Sequence, residues 1–296
     1  MSDAIVKALD GLIDMHVHSG PSPFPRRVLH YEAAQDGWDR LRMRAMVVKS
    51  HHHNTVMDVL AQAHHLAAIP TEVFGGIALN STVGGVNPFA VRMSLNMGGR
   101  VVWFPTISSG RHIDCHPEGG KFPTASISVP VERIDVVAED GELVAAAREV
   151  LHLVHEAGAV LNAGHMYPEQ IRALFTEAHA RGMDRMVISH PNFVIGADPA
   201  LCDEFIALGA HVEHEVGMYN PDREDRHFEP DVLMEWISRH GPEHIVLASD
   251  MGQRNNPLPV DAWLGTCGAL LDLGLPESDL RQMAVHNPAT LLGLTG

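Results

Sequence analysis

Short apolar runs recur along the whole chain, and five of them stop on a residue able to bind a metal ion. These are Asp14-Met15-His16-Val17-His18, Met46-Val47-Val48-Lys49, Val160-Leu161-Asn162-Ala163-Gly164-His165, Met186-Val187-Ile188-Ser189-His190 and Ile245-Val246-Leu247-Ala248-Ser249-Asp250. Continuous runs of Val, Ile and Leu of this length are the mark of strands covered on both faces, which means a parallel sheet. Parallel strands converge at their C-terminal ends, so the five terminal residues are expected to meet. The pattern therefore constrains both the fold class and the chemistry, which is expected to be that of a metal ion.

Further strand-like runs lie at Thr71 to Asn80, Arg100 to Pro105 and Ala210 to Val216. Together they make roughly eight, the number a (β/α)8 barrel requires. Helix-like stretches fall between them. Asn54 to Leu66 carries Val56, Leu60 and Ala63 at helical spacing before Pro70, and Pro168 to Phe175 opens on Pro and Glu, as a helix start prefers. Asp198 to Leu208 and Asp231 to Arg239 each stop at a Gly, and Gly274 to Asp279 leads into a final helix. The stretch from Pro105 to the helix near Leu143–His155 is too long for a turn; it contains Ser108 to Asp114 and Gly119-Gly120. Following a strand end, it is expected to lie over the barrel mouth as a binding loop. The fold expected is α/β, a single (β/α)8 TIM-like barrel over 1–296 with a long loop insertion after strand 4. About a dozen residues precede the first strand, too few for an N-terminal β-domain.

With 45% hydrophobic residues, 296 residues can bury a large core. A formal charge of -16 argues against a nucleic-acid partner, because phosphate binding needs a basic face. Any anionic substrate would have to be met by a few placed cations. The start Met1-Ser2-Asp3-Ala4 lacks the basic and apolar regions of a signal peptide, and no apolar stretch reaches the roughly 18 residues of a membrane span. Cys115, Cys202 and Cys267 are isolated and odd in number, so neither a disulfide framework nor a zinc ribbon is indicated. A cytoplasmic setting is expected.

His16 and His18 are two apart on a strand, so both point to one face and can offer two nitrogens to one ion. Alone, the pair is equally well read as two core histidines; with His165, His190 and Asp250 on other strand ends, ligation is the better reading. Asp250 would bind metal and act as general base toward a water whose pKa the ion lowers to about 7. Its plainer alternatives are a helix cap or a loop ion pair. Lys49 is unusual, because an ammonium ending a buried strand is costly unless paired or chemically changed. A carbamylated Lys49 bridging two metals, a cation for an anionic substrate, and an ion pair with Glu72 or Glu215 remain open. Of His51-His52-His53, one member is expected to touch substrate, here assigned to His52. Of His214 and Glu215, at most one faces inward; His214 is assigned to substrate binding. Arg111 and His112 in the long loop are positioned by sequence to clamp a substrate carboxylate or carbonyl. Cys115 has no base at motif spacing, and no G-x-G-x-x-G, P-loop or G-x-S-x-G occurs.

The set His16-Val17-His18, His165, His190 and Asp250, in this order, resembles the amidohydrolase superfamily of metal-dependent barrels. The tail Asn287-Pro288-Ala289-Thr290-Leu291-Leu292-Gly293-Leu294 resembles the ending common there. The resemblance implies that His16, His18 and Asp250 hold the more buried metal, while His165 and His190 hold a second metal or the substrate carbonyl. It implies one or two divalent ions, most simply Zn²⁺, a small-molecule substrate and a homo-oligomer. Members hydrolyse amides, cyclic amides, lactones or phosphoesters, and a minority decarboxylate or hydrate. The chain departs from the pattern at the fourth strand, where Val102-Trp103-Phe104-Pro105-Thr106 offers neither the usual Lys nor Glu. The polymerase-and-histidinol-phosphatase group shares the Asp-x-His-x-His start, but its C-terminal Asp-x-His is absent, since Met251-Gly252 follow Asp250. The expectation is a metal-dependent hydrolase of amide, cyclic amide or lactone bonds with Asp250 as general base. A mononuclear zinc lyase, decarboxylase or hydratase, is the alternative, and an inactive metal-binding barrel a third reading.

Overall fold

The computed structural model describes residues 3–116 and 131–294. Its strands are β1 (Ile13–Val17), β2 (Ala45–Val48), β3 (Glu72–Phe74), β4 (Gly76–Ala78), β5 (Val101–Trp103), β6 (Val160–Asn162), β7 (Met186–Ser189), β8 (Ala210–Glu215) and β9 (Ile245–Ala248). All neighbours pair in parallel, in the orders β1-β2-β3 and β4-β5-β6-β7-β8-β9. Only Gly75 separates β3 from β4, so these two are halves of one strand that breaks partners at its middle. At the other edge, Asp250 N donates to His16 O at 2.8 Å and His18 N donates to Met251 O at 2.8 Å, tying β9 to β1. The strands thus occupy eight positions in sequence order, the (β/α)8 arrangement expected from the alternating runs.

Alternation along each strand divides the apolar side chains between two surfaces. Ile13, Met15, Ala45, Val47, Val101, Trp103, Val160, Val187 and Val246 pack together inside. Their neighbours Val48, Val102, Leu161, Ile188 and Leu247 face outward, against the helices. The helix Ala145–Ala157 shows why such segments are helical: Ala147, Val150, Leu151 and Val154 recur at helical spacing on its buried face. Gly158, at φ +58°, ends it.

The tail with the recognisable ending closes the barrel floor. In the helix Asn287–Leu292, Ala289, Leu291 and Leu292 join the interior cluster, and Asn287 Nδ2 donates to Ile245 O at 2.7 Å, where β9 begins. The other end of the strands is therefore left for chemistry. There the connection after β5 carries the helix Gly110–Cys115 and bridges Ser109 to Ile134 and Val137 to Leu143, so its described part has structure of its own. Gly119 and Gly120 of the expected binding loop lie outside the described residues. Among the described residues, no helix is long and apolar enough to cross a membrane.

Candidate active site

The C-terminal strand ends meet at a cavity of about 320 Å³ lined by His16, His18, Lys49, His165, His190 and Asp250. His51, His112, His116, Gln253, Asn255 and Asn256 add to its polar wall, and Phe193, Val194 and Met218 form its apolar one. A local irregularity puts His16 there. Strict alternation after Ile13 and Met15 would turn His16 outward, but the β1–β2 register shifts between Asp14 and Val17. That bulge turns His16 inward next to Met15, sends Val17 to the outer layer, and returns His18 to the site. Asp14, turned outward, anchors the end of β1 by accepting from Ser249 N and Trp263 Nε1, each at 2.9 Å.

Asp250 Oδ1 lies 3.1 Å from His18 Nε2 and 3.4 Å from His16 Nε2. Lys49 Nζ lies 3.0 Å from the same His16 nitrogen. Across the cavity, His165 Nε2 and His190 Nε2 are 2.9 Å apart, and His112 Nδ1 is 3.0 Å from His165 Nδ1. Two of these residues sit in the left-handed backbone region, His190 at φ +33° and Asp250 at φ +54°. Non-glycine residues held there are strained, and such strain clusters at functional sites.

Behind the histidines stands a layer of oriented partners. Glu213 and Glu215, two apart on β8, both face inward, while His214 between them faces out. Glu213 Oε1 is 3.0 Å from His16 Nδ1 and accepts from Ser189 Oγ at 2.6 Å; Asn162 Nδ2 donates to that hydroxyl at 2.8 Å. Glu215 Oε1 lies 2.9 Å from His190 Nδ1 and 3.6 Å from His16 Nδ1. His18 Nδ1 donates to Lys49 O at 3.0 Å. The bonds to His16 and His18 occupy each Nδ1 and so aim the Nε2 of that ring at the cavity, and the Glu215 carboxylate lies beside His190 Nδ1 in the same way, the arrangement by which outer groups position metal-binding imidazoles.

Burial holds His18 down to about 3 and pushes His51 and His165 well below the ordinary range, so these rings are neutral, the form that ligates metal. On His16, burial and Lys49 oppose a charge, but Asp250, Glu213 and Glu215 outweigh them and lift it to about 9. Burial would raise Asp250, yet the imidazoles of His16, His18 and His190 bring it below the usual carboxylate range. Burial lowers Lys49 despite Asp250, Glu213 and Glu215.

These residues fit a divalent cation. His16, His18 and Asp250 form one group whose ligand atoms lie within 4.8 Å of one another, and His16, Glu213 and Glu215 form another. Metal–ligand bonds of about 2.1 Å imply spacings of roughly 3.0–3.4 Å between adjacent ligands, matching the Asp250–histidine distances. The buried Glu215 carboxylate has imidazole nitrogens at 2.9 and 3.6 Å but is in hydrogen-bond geometry with neither, a costly state that a nearby positive charge relieves.

Several residues stand elsewhere than the sequence indicated. His214 is on the outer face of β8, its Nδ1 3.0 Å from Tyr219 Oη and its ring against Trp236, because Glu213 and Glu215 take the inward positions. Arg111 turns from the cavity: its Nε donates to Val194 O at 2.8 Å and its guanidinium lies over Tyr167. In the His51–His53 run it is His51 that lines the cavity; His52 packs edge-on against Phe24. Lys49 forms no ion pair with Glu72 or Glu215; its Nζ lies instead 3.0 Å from the His16 imidazole. His112 does line the cavity. Glu213 was missed, although Glu213-His214-Glu215 carries the same i, i+2 signal as His16-Val17-His18.

Residues 11–213 match the model of a family described as "Family of unknown function (DUF6282)". No curated protein matches the chain in sequence. Among solved structures, an amidohydrolase from Pseudomonas aeruginosa superposes with a TM-score of 0.67 at 13% identity, covering 99% of this chain and 98% of that one. A lactonase from Listeria monocytogenes gives 0.57 at 13% identity, over 98% and 96% of the two chains. A 2,6-dihydroxybenzoate decarboxylase from Rhizobium gives 0.57 at 10% identity, over 97% and 100%. At these identities the likeness is one of fold. The chain belongs to the DUF6282 family, whose function is unknown, and is built on the barrel fold of the amidohydrolases.

Proposed function

We propose that this chain is a metal-dependent hydrolase that cleaves an amide, cyclic amide or lactone bond of a small molecule, with Asp250 as general base. The observation that carries the reading is the convergence of His16, His18 and Asp250 from β1 and the end of β9 at ligand spacing on the cavity wall. A divalent ion there, zinc by the preference of a nitrogen-rich donor set, would polarise a carbonyl oxygen and acidify water. Asp250 Oδ1 faces both imidazoles, which leaves Oδ2 to take a proton from water and pass it to the leaving group. His165 and His190, neutral or paired with Glu215, would hold the carbonyl or help hold a second ion. Phe193, Val194 and Met218 limit water around the reacting bond. Burial favours the free amine of Lys49, which could add to carbon dioxide and release a proton, giving a carbamate ligand. The setting proposed is the cytoplasm, with neither nucleic acid nor membrane as partner.

A mononuclear lyase is favoured by one observation: β5, the fourth barrel position, runs from Trp103 into Phe104, Pro105 and Thr106 and brings no ligand. One ion per chain with an unmodified Lys49 would support decarboxylation or hydration instead. The experiment is turnover on a panel of amides, cyclic amides and lactones by the metallated protein and its Asp250→Asn variant. The variant is expected to keep metal and lose roughly 10²–10⁴-fold in kcat, the worth of a positioned proton acceptor. Near-normal turnover by a metallated variant would remove Asp250 from the role.

A further inference from the structure

Arg26 is the one arginine among the described residues that has a buried guanidinium nitrogen without a hydrogen-bond partner, its Nε. Comparable arginines are occupied: Arg111 binds Val194 O, and Arg44 donates to Leu294 O. No carboxylate among the described residues comes within ion-pair distance of Arg26, and no ring lies against its guanidinium. In a chain with a formal charge of -16, a half-buried cation that forms no ion pair is conspicuous, and the carboxylate whose charge reaches it is that of Asp250. Burial draws its pKa to about 10, so it is still charged at neutral pH.

Its place in the fold is beside the metal-binding residues. Arg27 N donates to Gly252 O at 2.9 Å, Arg254 N donates to Pro25 O at 3.1 Å, and Arg26 is bridged to Gln253. Gln253 is in the cavity wall, three residues after Asp250. On its other side, the Arg26 Cβ comes within 3.3 Å of where a Cβ on Gly20 would stand, two residues after His18. Arg26 is thus wedged between the segments leaving β1 and β9. His52 is close as well: its ring packs edge-on at 4.3 Å from that of Phe24, and Arg26 is the charge that acts most on it. His52 is 6% exposed, and neither of its ring nitrogens has a partner. Burial keeps that ring neutral, so it has one N–H to donate.

We propose that Arg26 and His52 form an anion-binding subsite beside His18 and Asp250 that takes the carboxylate of an acidic substrate. The placement of the reacting bond rests on the hydrolase reading above; the subsite itself rests on the buried Nε of Arg26 and the two His52 ring nitrogens, none of which has a hydrogen-bond partner. A guanidinium fork matches a carboxylate in two parallel hydrogen bonds. Because the charge of Asp250 already acts on Arg26, the subsite has room for no more than one added negative charge, which favours a carboxylate over a phosphate dianion. Asp250 would repel a second charge at this position. The subsite also answers how a strongly acidic protein admits an acid.

The test is calorimetric titration of the full-length, metal-loaded protein with benzoate, its neutral isostere benzamide, and inorganic phosphate, with metal content measured in parallel. Benzoate is expected to bind at least about tenfold more tightly than benzamide or phosphate. Arg26→Gln should weaken benzoate roughly tenfold to a hundredfold, as loss of a charged hydrogen-bond pair does, while leaving benzamide binding, metal content and Tm unchanged. Arg26→Lys should fall between, since it keeps the charge and loses the fork, and His52→Gln should weaken benzoate by a few-fold. Absence of benzoate binding in the wild type, equal binding by Arg26→Gln, or a preference for phosphate would each overturn the subsite. Equal binding would mean that carboxylates go to the metal itself. Arg26-dependent binding in a protein that takes up no metal would uphold the subsite and overturn the hydrolase reading.

Discussion

His16 is the residue on which the site depends most. Its Nε2 faces Asp250 and Lys49, its Nδ1 faces Glu213 and Glu215, and the three acids together lift its pKa to about 9. An imidazole so surrounded has a high affinity for a positive charge, whether a proton or a metal ion. Glu213→Gln removes the negative charge behind Nδ1 while keeping the shape, and is expected to lower metal affinity about 10- to 100-fold, the usual cost of losing an outer partner. Competition with a chromogenic chelator reads this directly, and unchanged affinity would mean that Glu213 serves packing alone. At this scale the sequence was legible wherever a strand ended on a ligand. It was illegible where the outcome turned on which way a side chain faces. His214 and Glu213 are neighbours, and only the register of β8 decides which of them looks inward. The histidine run shows the same: His51, His52 and His53 are indistinguishable as letters, and the path of the loop after Lys49 gives the cavity to His51 and the pocket of Phe24 to His52.

Strand ends work as ligand holders here because backbone irregularities aim them. The bulge in β1 turns His16 inward beside Met15, and Gly164 lets β6 turn sharply into His165. Gly164 sits at φ +63°, and a Cβ on it would fall 2.2 Å from Phe104 O. Gly182, at φ +76°, has nothing within 4 Å. Gly182→Ala is therefore expected to cost about 1 kcal/mol from backbone strain alone. Gly164→Ala should cost about 2–4 kcal/mol and, by displacing His165, also reduce activity. Urea titration compares the two, and equal losses would show that the close approach to Phe104 carries no weight. The strands and most helices could be read from the sequence because their apolar periodicity follows from burial on both faces or on one. The connection after β5 could be read only as long. Its helix Gly110–Cys115 is held by tertiary contacts, Arg111 to Val194 O and Ser109 Oγ to His165 O at 2.6 Å, that no local pattern encodes.

At the scale of the whole molecule, the barrel separates stability from chemistry. The tail helix and interior apolar cluster close one end, and a concentration of buried histidines occupies the other. Two further histidines of β8 are withdrawn from water, His211 partly and His214 fully: burial brings His211 to about 4 and His214 to about 3. Each is neutral when folded but charges below about 6.5 when unfolded. Their contribution to stability is complete above pH 6.5 and is lost as pH falls toward 4 and 3, at about 1.4 kcal/mol per unit of depression. Tm is thus expected to fall between pH 6.5 and 4, and His214→Gln to flatten that slope in calorimetric scans. An unchanged slope would show that His214 is not neutral in the folded protein. The architecture was legible because alternating runs allow few parallel arrangements, whereas the second carboxylate layer and the Arg26–His52 pair arise only from the closed barrel. The central claim is that the strand ends hold a divalent metal, and elemental analysis of the purified chain and its His18→Ala variant tests it most directly. The account predicts one or two divalent ions per chain, reduced by at least one in the folded variant. A wild-type protein that binds no divalent metal, or a variant that binds as much as the wild type, would contradict it.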